Sequence, residues 1–214
     1  MPRWGMVVDL EKCTGCQTCS VACKVENALG PMTDRVVVVE KEMGTYPNVQ
    51  RIHIPKRCMH CADPKCVGVC PSGATQQRDD GIVTVDQDMC VGCRYCMMAC
   101  PYNARVFQAV EQSYHSPPSK WEVQRYKEHT VGVVGKCDFC KSRIDEGLQG
   151  GLKPGVDPDA TPMCVISCIG TALTFGDLDD PASEVSQLIE SRETVQFLPE
   201  MQTDPSIYYL PRRR

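Results

Sequence analysis

The sequence predicts an α+β fold of two small units, one nested in sequence within the other, and three observations carry that expectation. Sixteen cysteines fall into four sets of four, and two of the sets repeat one spacing: Cys13, Cys16, Cys19, Cys23 and Cys90, Cys93, Cys96, Cys100. Gly5–Asp9 and Gly81–Asp86 each read as a short strand ahead of such a set, an internal repeat of about 77 residues measured from Cys13 to Cys90. Only 4 Phe and 2 Trp are available to fill a core in 214 residues, so inorganic groups are expected to fill and crosslink part of the interior. The CxxCxxCxxxC run is the ferredoxin arrangement for a cubane iron–sulfur cluster, with three thiolates from one tight loop and the fourth given to a neighbouring cluster. The units are therefore expected to be ferredoxin-like, with two clusters each.

Taken along the chain, the first set follows its strand directly and should lead into a helix. The second set, Cys58, Cys61, Cys66 and Cys70, has two extra residues before its third ligand. Ala74 to Gly81 gives two short extended runs around an Asp79-Asp80-Gly81 turn, a hairpin signal ahead of the third set. Residues 58–101 thus form a complete inner unit. The fourth set is split, with Cys137 and Cys140 far from Cys164 and Cys168, and must pair with the first to form an outer unit over residues 1–57 and 102–180. Two inserts interrupt that unit. Asn103 to Gly135, carrying Tyr114, His115, Pro117, Pro118 and Trp121, reads as an interface loop, because loops of this length are uncommon without a use. Gly147 to Pro162, rich in Gly and Pro, reads as a flexible tongue. In residues 181–214, Asp180-Pro181 before Val185, Leu188 and Ile189 marks a capped amphipathic helix, and Arg212-Arg213-Arg214 reads as a frayed tail.

The rule that the fourth cysteine crosses over assigns the ligands. One cluster takes Cys58, Cys61, Cys66 and Cys100, and its neighbour takes Cys90, Cys93, Cys96 and Cys70. In the outer unit Cys168 completes Cys13, Cys16 and Cys19, while Cys23 completes Cys137, Cys140 and Cys164. Pro71 and Pro101 follow Cys70 and Cys100 and fix φ as the chain leaves the ligand helix; Ile169 follows Cys168 instead. Thiolates are soft ligands suited to an iron–sulfur core, and the anionic cluster needs N–H donors around it. Gly15 and Gly92 let the backbone turn its amides toward the sulfurs, and Lys24, Arg57, Arg94, Lys136 and Lys141 stand beside ligands, where positive charge raises the reduction potential. Four sets of four imply four [4Fe–4S] clusters.

Rival readings fail on the same pattern. A disulfide framework belongs to small secreted chains, and Met1 to Leu10 runs straight into the first motif with no secretory leader expected. Structural zinc uses two separated CxxC pairs, as the split fourth set does, but needs no third and fourth cysteine at fixed spacing. A net charge of −4 without an interior block of like charge argues against nucleic acid as a partner. Mean hydropathy is −0.27, and no apolar run approaches the ~18 residues of a spanning helix, so membrane attachment has to come through a partner. No nucleophile with a base, Gly-rich nucleotide loop or pterin motif is visible, so the chain is not expected to be an enzyme by itself. His53, His60, His115 and His129 are superfluous as ligands beside sufficient thiols.

Several further stretches carry a resemblance. They are Gly5-Met6-Val7-Val8-Asp9, Cys58-Met59-His60-Cys61 through Val69-Cys70-Pro71, Cys96 to Cys100 with Pro101-Tyr102, Lys136-Cys137-Asp138-Phe139-Cys140, Thr174 to Leu178 with Asp180-Pro181, and Pro205 to Leu210. Over nearly its whole length the chain resembles the iron–sulfur subunit of the complex iron–sulfur molybdoenzymes, the dimethyl sulfoxide reductase family, in its polysulfide, thiosulfate, tetrathionate and arsenate reductase branch. The resemblance implies an electron-transfer subunit linking a molybdenum or tungsten bis(pterin) catalytic subunit to an integral membrane anchor that handles quinone. It puts the Cys13 cluster nearest the catalytic subunit, then the Cys137 and Cys58 clusters, with the Cys90 cluster nearest the quinone site. Some relatives have tryptophan as the second cysteine of the third set and hold a three-iron cluster; Cys93 here implies a full [4Fe–4S]. It also implies membrane association through a partner on the periplasmic face, by co-export with a subunit that carries a twin-arginine signal, the cytoplasmic face being the alternative. Against this stand a free soluble polyferredoxin, for which the inserts and the long C-terminus have no use, and a zinc-binding interaction module.

Overall fold

The computed structural model describes residues 1–111, 113–126 and 130–212, so His129 and Arg213-Arg214 lie outside the described residues. Strand β1 (Trp4–Asp9) is buried along its whole length because both of its faces are covered. It is the centre of a three-stranded sheet, antiparallel to β8 (Leu173–Asp177) and parallel to β9 (Ile207–Leu210). On one face Trp4, Met6 and Val8 join Phe139, Phe175 and Tyr209 in the main core. On the other, Val7 meets Val185 and Leu210 beneath α7 (Glu184–Ser191), whose N-cap Ser183 accepts the Ser186 N–H at 3.3 Å. The amphipathic helix read after Pro181 is thus present, and Leu188 and Ile189 pack as expected.

Three hairpins carry the rest of the strand structure. They are β2 (Val37–Thr45) with β3 (Asn48–Lys56), β4 (Thr75–Gln77) with β5 (Val83–Val85), and β6 (Arg105–Phe107) with β7 (Val134–Lys136). In each, a strand leaving one cysteine set turns back into the next set. The β1–β8 pair does the same for the fourth and first sets, so the two ends of the cysteine region meet in one sheet. The β4–β5 hairpin is the one expected from the Asp-Gly turn, with Gly81 at φ 82. The nine-residue strands β2 and β3 go beyond the sequence expectation; Val37, Val39, Met43, Tyr46 and Val49 stand exposed along this ribbon.

Helices follow the cysteine loops: α1 (Thr18–Glu26), α2 (Lys65–Gly68), α3 (Tyr95–Met98), and, around the split set, α5 (Lys141–Gln149) and α6 (Met163–Ile166). The long insert before β7 carries α4 (Lys120–Arg125), closed by a capping box. The Glu122 carboxylate accepts N–H groups of Tyr114 and Ser119 and meets His115 Nδ1 at 2.8 Å. Burial opposes its ionisation, yet these bonds hold the carboxyl at about 2. Tyr114 and Trp121 of this insert remain exposed.

The Gly/Pro-rich insert corrects the expectation of a flexible tongue. A Cβ on Gly147 would sit 2.3 Å from that of Ala160, and one on Gly155, at φ 90, would sit 2.1 Å from the Phe175 carbonyl oxygen. Arg143 further ties α5 to the insert through the carbonyls of Thr161 and Pro158 at 3.0 and 2.8 Å. The glycines there serve close packing of backbone on backbone, which composition alone does not distinguish from looseness.

Candidate metal centres

The loops that present the cysteines are built alike. Asp9, four residues before Cys13, accepts the N–H groups of Glu11 and Lys12; Asp86, four before Cys90, accepts those of Asp88 and Met89. Each turn aims the following CxxC, whose third residue is left-handed in all four sets: Gly15, His60, Gly92 and Phe139, with φ from 45 to 72. At Gly15 a Cβ would lie 2.4 Å from His53 Nδ1, so this loop admits only glycine without rearrangement.

The four sets are brought together in crossed combinations. Cys13, Cys16 and Cys19 line one small cavity with Cys168, and Cys58, Cys61 and Cys66 line another with Cys100. The charge of the Cys96 thiol is felt from Cys70 and Cys90, and Cys23 neighbours Cys137, Cys140 and Cys164 in the same way. Exposure differs among the groups. Cys23, Cys137, Cys140 and Cys164 are all buried, and none of Cys58, Cys61, Cys66 and Cys100 is exposed, whereas Cys16 and Cys93 reach the surface.

Burial pushes eight of these sixteen thiols upward, Cys23 and Cys61 to about 12. Cys70 differs: burial is slight, and the Thr75 N–H and Ser72 hydroxyl draw its thiol down to about 7. Neutral thiols packed in fours are a poor resting state, and the surroundings are set for anions. Arg57 is 1% exposed; its Nη1 donates to Cys164 Sγ at 2.9 Å, while Nε and Nη2 find no acceptor among the described residues. Arg105, also buried, in β6, donates to Thr75 Oγ1 at 3.2 Å, leaves Nη2 unpartnered, and faces Cys66, Cys96 and Cys58. Buried guanidinium groups with spare N–H donors suit an anionic cluster bearing inorganic sulfide acceptors. Among the described residues no three His, Cys, Asp or Glu side chains converge as a single bound ion would require. The residues present fit [4Fe–4S] clusters.

Of the five cations singled out in the sequence, Arg57 and Lys136 are buried in the site. Lys24 instead pairs with Asp34 and three loop carbonyls, Arg94 lies over the Phe107 ring at 3.7 Å, and Lys141 is exposed. Arg105 carries no sequence signal because it stands five residues past Cys100; its burial in β6 is a tertiary fact. His60 is fully buried against Phe139, His53 packs on the Gly15 loop, and His115 pairs with Glu122.

Comparisons with known proteins agree with this chemistry. Residues 49–116 match the 4Fe-4S dicluster domain family and residues 4–25 the 4Fe-4S binding domain family. The chain is 42% identical to the selenate reductase B subunit of Mesobacillus selenatarsenatis, over 97% of this chain and 72% of that protein. It is 36% identical to the tetrathionate reductase B subunit of Salmonella typhimurium, over 97% and 72%. With the arsenate respiratory reductase iron–sulfur subunit of a Shewanella species it shares 34% identity, over 97% and 96%. Identity sustained across nearly the whole of this chain makes the relationship one of family: the chain belongs to the iron–sulfur B subunits of the dimethyl sulfoxide reductase family.

Proposed function

We propose that the sixteen cysteines hold four [4Fe–4S] clusters and that the chain relays electrons between a membrane quinone-handling subunit and a molybdenum or tungsten bis(pterin) catalytic subunit of a respiratory oxidoreductase, with no catalytic residues of its own. Bound clusters supply one-electron redox steps. The observation that carries the reading is the crossed grouping, Cys168 in the cavity of the first set and Cys100 in that of the second. On this reading the inner unit, 58–101, is nested within an outer unit of 1–57 and 102–180, and 181–214 packs against both, its Asp204 and Thr203 carbonyls accepting the Ala62 and Asp63 N–H groups of the inner unit at 2.8 and 3.1 Å.

The protein's own residues then divide the work. Thiols orient and hold the clusters, the buried side chains exclude water, and Arg57 and Arg105 offset charge. Exposure gives the relay its ends. Cys16 and Cys93 are exposed, and so are apolar side chains near them in sequence: Val21 and Val25 after Cys16, Ile169 beside Cys168 of the same cavity, and Met89, Val91, Tyr95 and Met98 around Cys93. Apolar rims at two separate surface thiols favour docked partners at both ends over a free carrier. The Cys16 end suits the catalytic subunit and the Cys93 end the membrane subunit. No helix of the described residues is long and apolar enough to cross a membrane, so anchoring falls to that partner, with the periplasmic face preferred.

Purification of the native complex through this chain in mild detergent tests the reading. A pterin-bearing subunit with molybdenum or tungsten, and a membrane subunit, are expected to accompany it. A chain that arrives alone with its full iron is a soluble polyferredoxin.

A further inference from the structure

We propose that Arg57 and Lys136 are a crossed pair of cations at the junction of the two units, each raising the reduction potential of the cluster that belongs to the other's cysteine set. The inference rests on the ligand assignment proposed above.

The two residues hold equivalent places in sequence. Arg57 immediately precedes Cys58, the first cysteine of the second set, and Lys136 immediately precedes Cys137, the first of the fourth. Each side chain reaches across to the other unit. Arg57 crosses to the outer unit and donates to Cys164 Sγ at 2.9 Å, a residue 107 positions away. Lys136 crosses to the inner unit, where its Nζ donates to the Val83 carbonyl oxygen, and Val83 lines the cavity of Cys58, Cys61, Cys66 and Cys100. The same Nζ also donates to the Cys137 carbonyl oxygen at 2.6 Å, so the ammonium is held between that carbonyl and the inner unit.

The same exchange is visible one turn further on. At the left-handed position of CxxC, the first and third sets have Gly15 and Gly92, but the second and fourth have His60 and Phe139. Those two rings stack on each other, centroids 3.8 Å apart and planes at 21°. The two loops therefore face one another with like parts opposed, a local approximate two-fold arrangement, and the cations swap sides across it.

Both cations are buried, 1% and 3% exposed, and neither pairs with a carboxylate among the described residues. A buried charge needs a counter-charge. The anion within reach of each is the cluster across the junction, which gains a further negative charge on reduction, so a fixed cation stabilises the reduced form. Arg57 faces Cys164, Cys137 and Cys19, and Lys136 faces Cys66 together with Arg105, the stronger cation there. The consequence is that the two inner sites of the relay are matched to each other by residues of the opposite unit, at the step where an electron leaves one unit and enters the other.

Potentiometric EPR titration of the purified, iron-loaded chain tests this, with signals assigned by the ligand exchanges Cys140→Ser and Cys61→Ser. Arg57→Met is expected to lower the reduction equilibrium of the cluster at Cys164 at least tenfold, ~59 mV for a one-electron couple, with a smaller fall at the Cys19 site. The cluster at Cys58, its sequence neighbour, should move by less than half as much. Lys136→Met should give the mirror result, a fall at the Cys58 site exceeding that at Cys137. Arg57→Lys, which keeps the charge, should retain most of the parent potential. Shifts at the sequence-adjacent cluster, or no shift in either variant, overturn the inference. If Arg57→Met fails to retain iron, Lys136→Met and Arg57→Lys decide it. Failure of the ligand assignment is separately visible, because Cys168→Ser and Cys164→Ser would then extinguish the same signal in the otherwise unsubstituted chain.

Discussion

Cys168→Ser is expected to abolish or convert the cluster of the first cysteine set, although Cys168 belongs by sequence to the fourth. Iron should fall from about sixteen to about twelve atoms per chain, four per cluster, and the EPR signal lost on reduction should be the one that Cys13→Ser also removes. The reciprocal variant, Cys23→Ser, should remove the signal shared with Cys137→Ser. The geometry behind this is the common cavity of Cys13, Cys16, Cys19 and Cys168, and the mutual influence of Cys23, Cys137 and Cys164. If Cys168→Ser and Cys164→Ser extinguish the same signal, each set ligates locally and the crossed arrangement is wrong.

Removing the iron is expected to unfold most of the chain. Helices α2, α3 and α6 are four residues each, far below the ~12–15 residues at which a helix holds in water alone. The core that surrounds them is itself built partly of thiols: Cys19, Cys23, Cys58, Cys137 and Cys164 belong to the main cluster of buried residues. Cluster binding should thus contribute free energy of the order of a whole domain's stability, ~5–15 kcal/mol. Chelation under anaerobic conditions, followed by far-ultraviolet circular dichroism, should show loss of most ordered signal; retention of the native spectrum would mean the polypeptide holds itself. The pH dependence has a definite sign. The thiols of an unfolded, iron-free chain titrate near the free cysteine value of ~8.5, so at neutral pH they carry protons that cluster binding must expel. Falling pH therefore favours release, and rising pH through that range favours retention.

How far the sequence could be read depends on what each feature rests upon. Cysteine spacing is local chemistry, and it leads correctly to an iron–sulfur protein of this family; strand and turn patterns likewise lead to β1, the β4–β5 hairpin and α7. The β2–β3 ribbon lies between two cysteine sets, where no motif frames it, although Val36 to Val39 and Ile52 with Ile54 carry a β-branched signal. Gly147 and Gly155 mislead for a different reason: glycine marks both loose chain and close backbone packing, and only the contacts with Ala160 and Phe175 separate the two. Arg105 and the His60–Phe139 stack depend on segments distant in sequence, so no local pattern announces them.

The most direct measurement is Mössbauer spectroscopy of anaerobically purified, iron-57-enriched protein, with iron and zinc quantified on the same sample. About sixteen irons per chain are expected, all in [4Fe–4S] clusters, with no stoichiometric zinc. A quarter or more of the sites filled by zinc, or an iron content that accounts for fewer than four clusters after reconstitution, would contradict the four-cluster assignment.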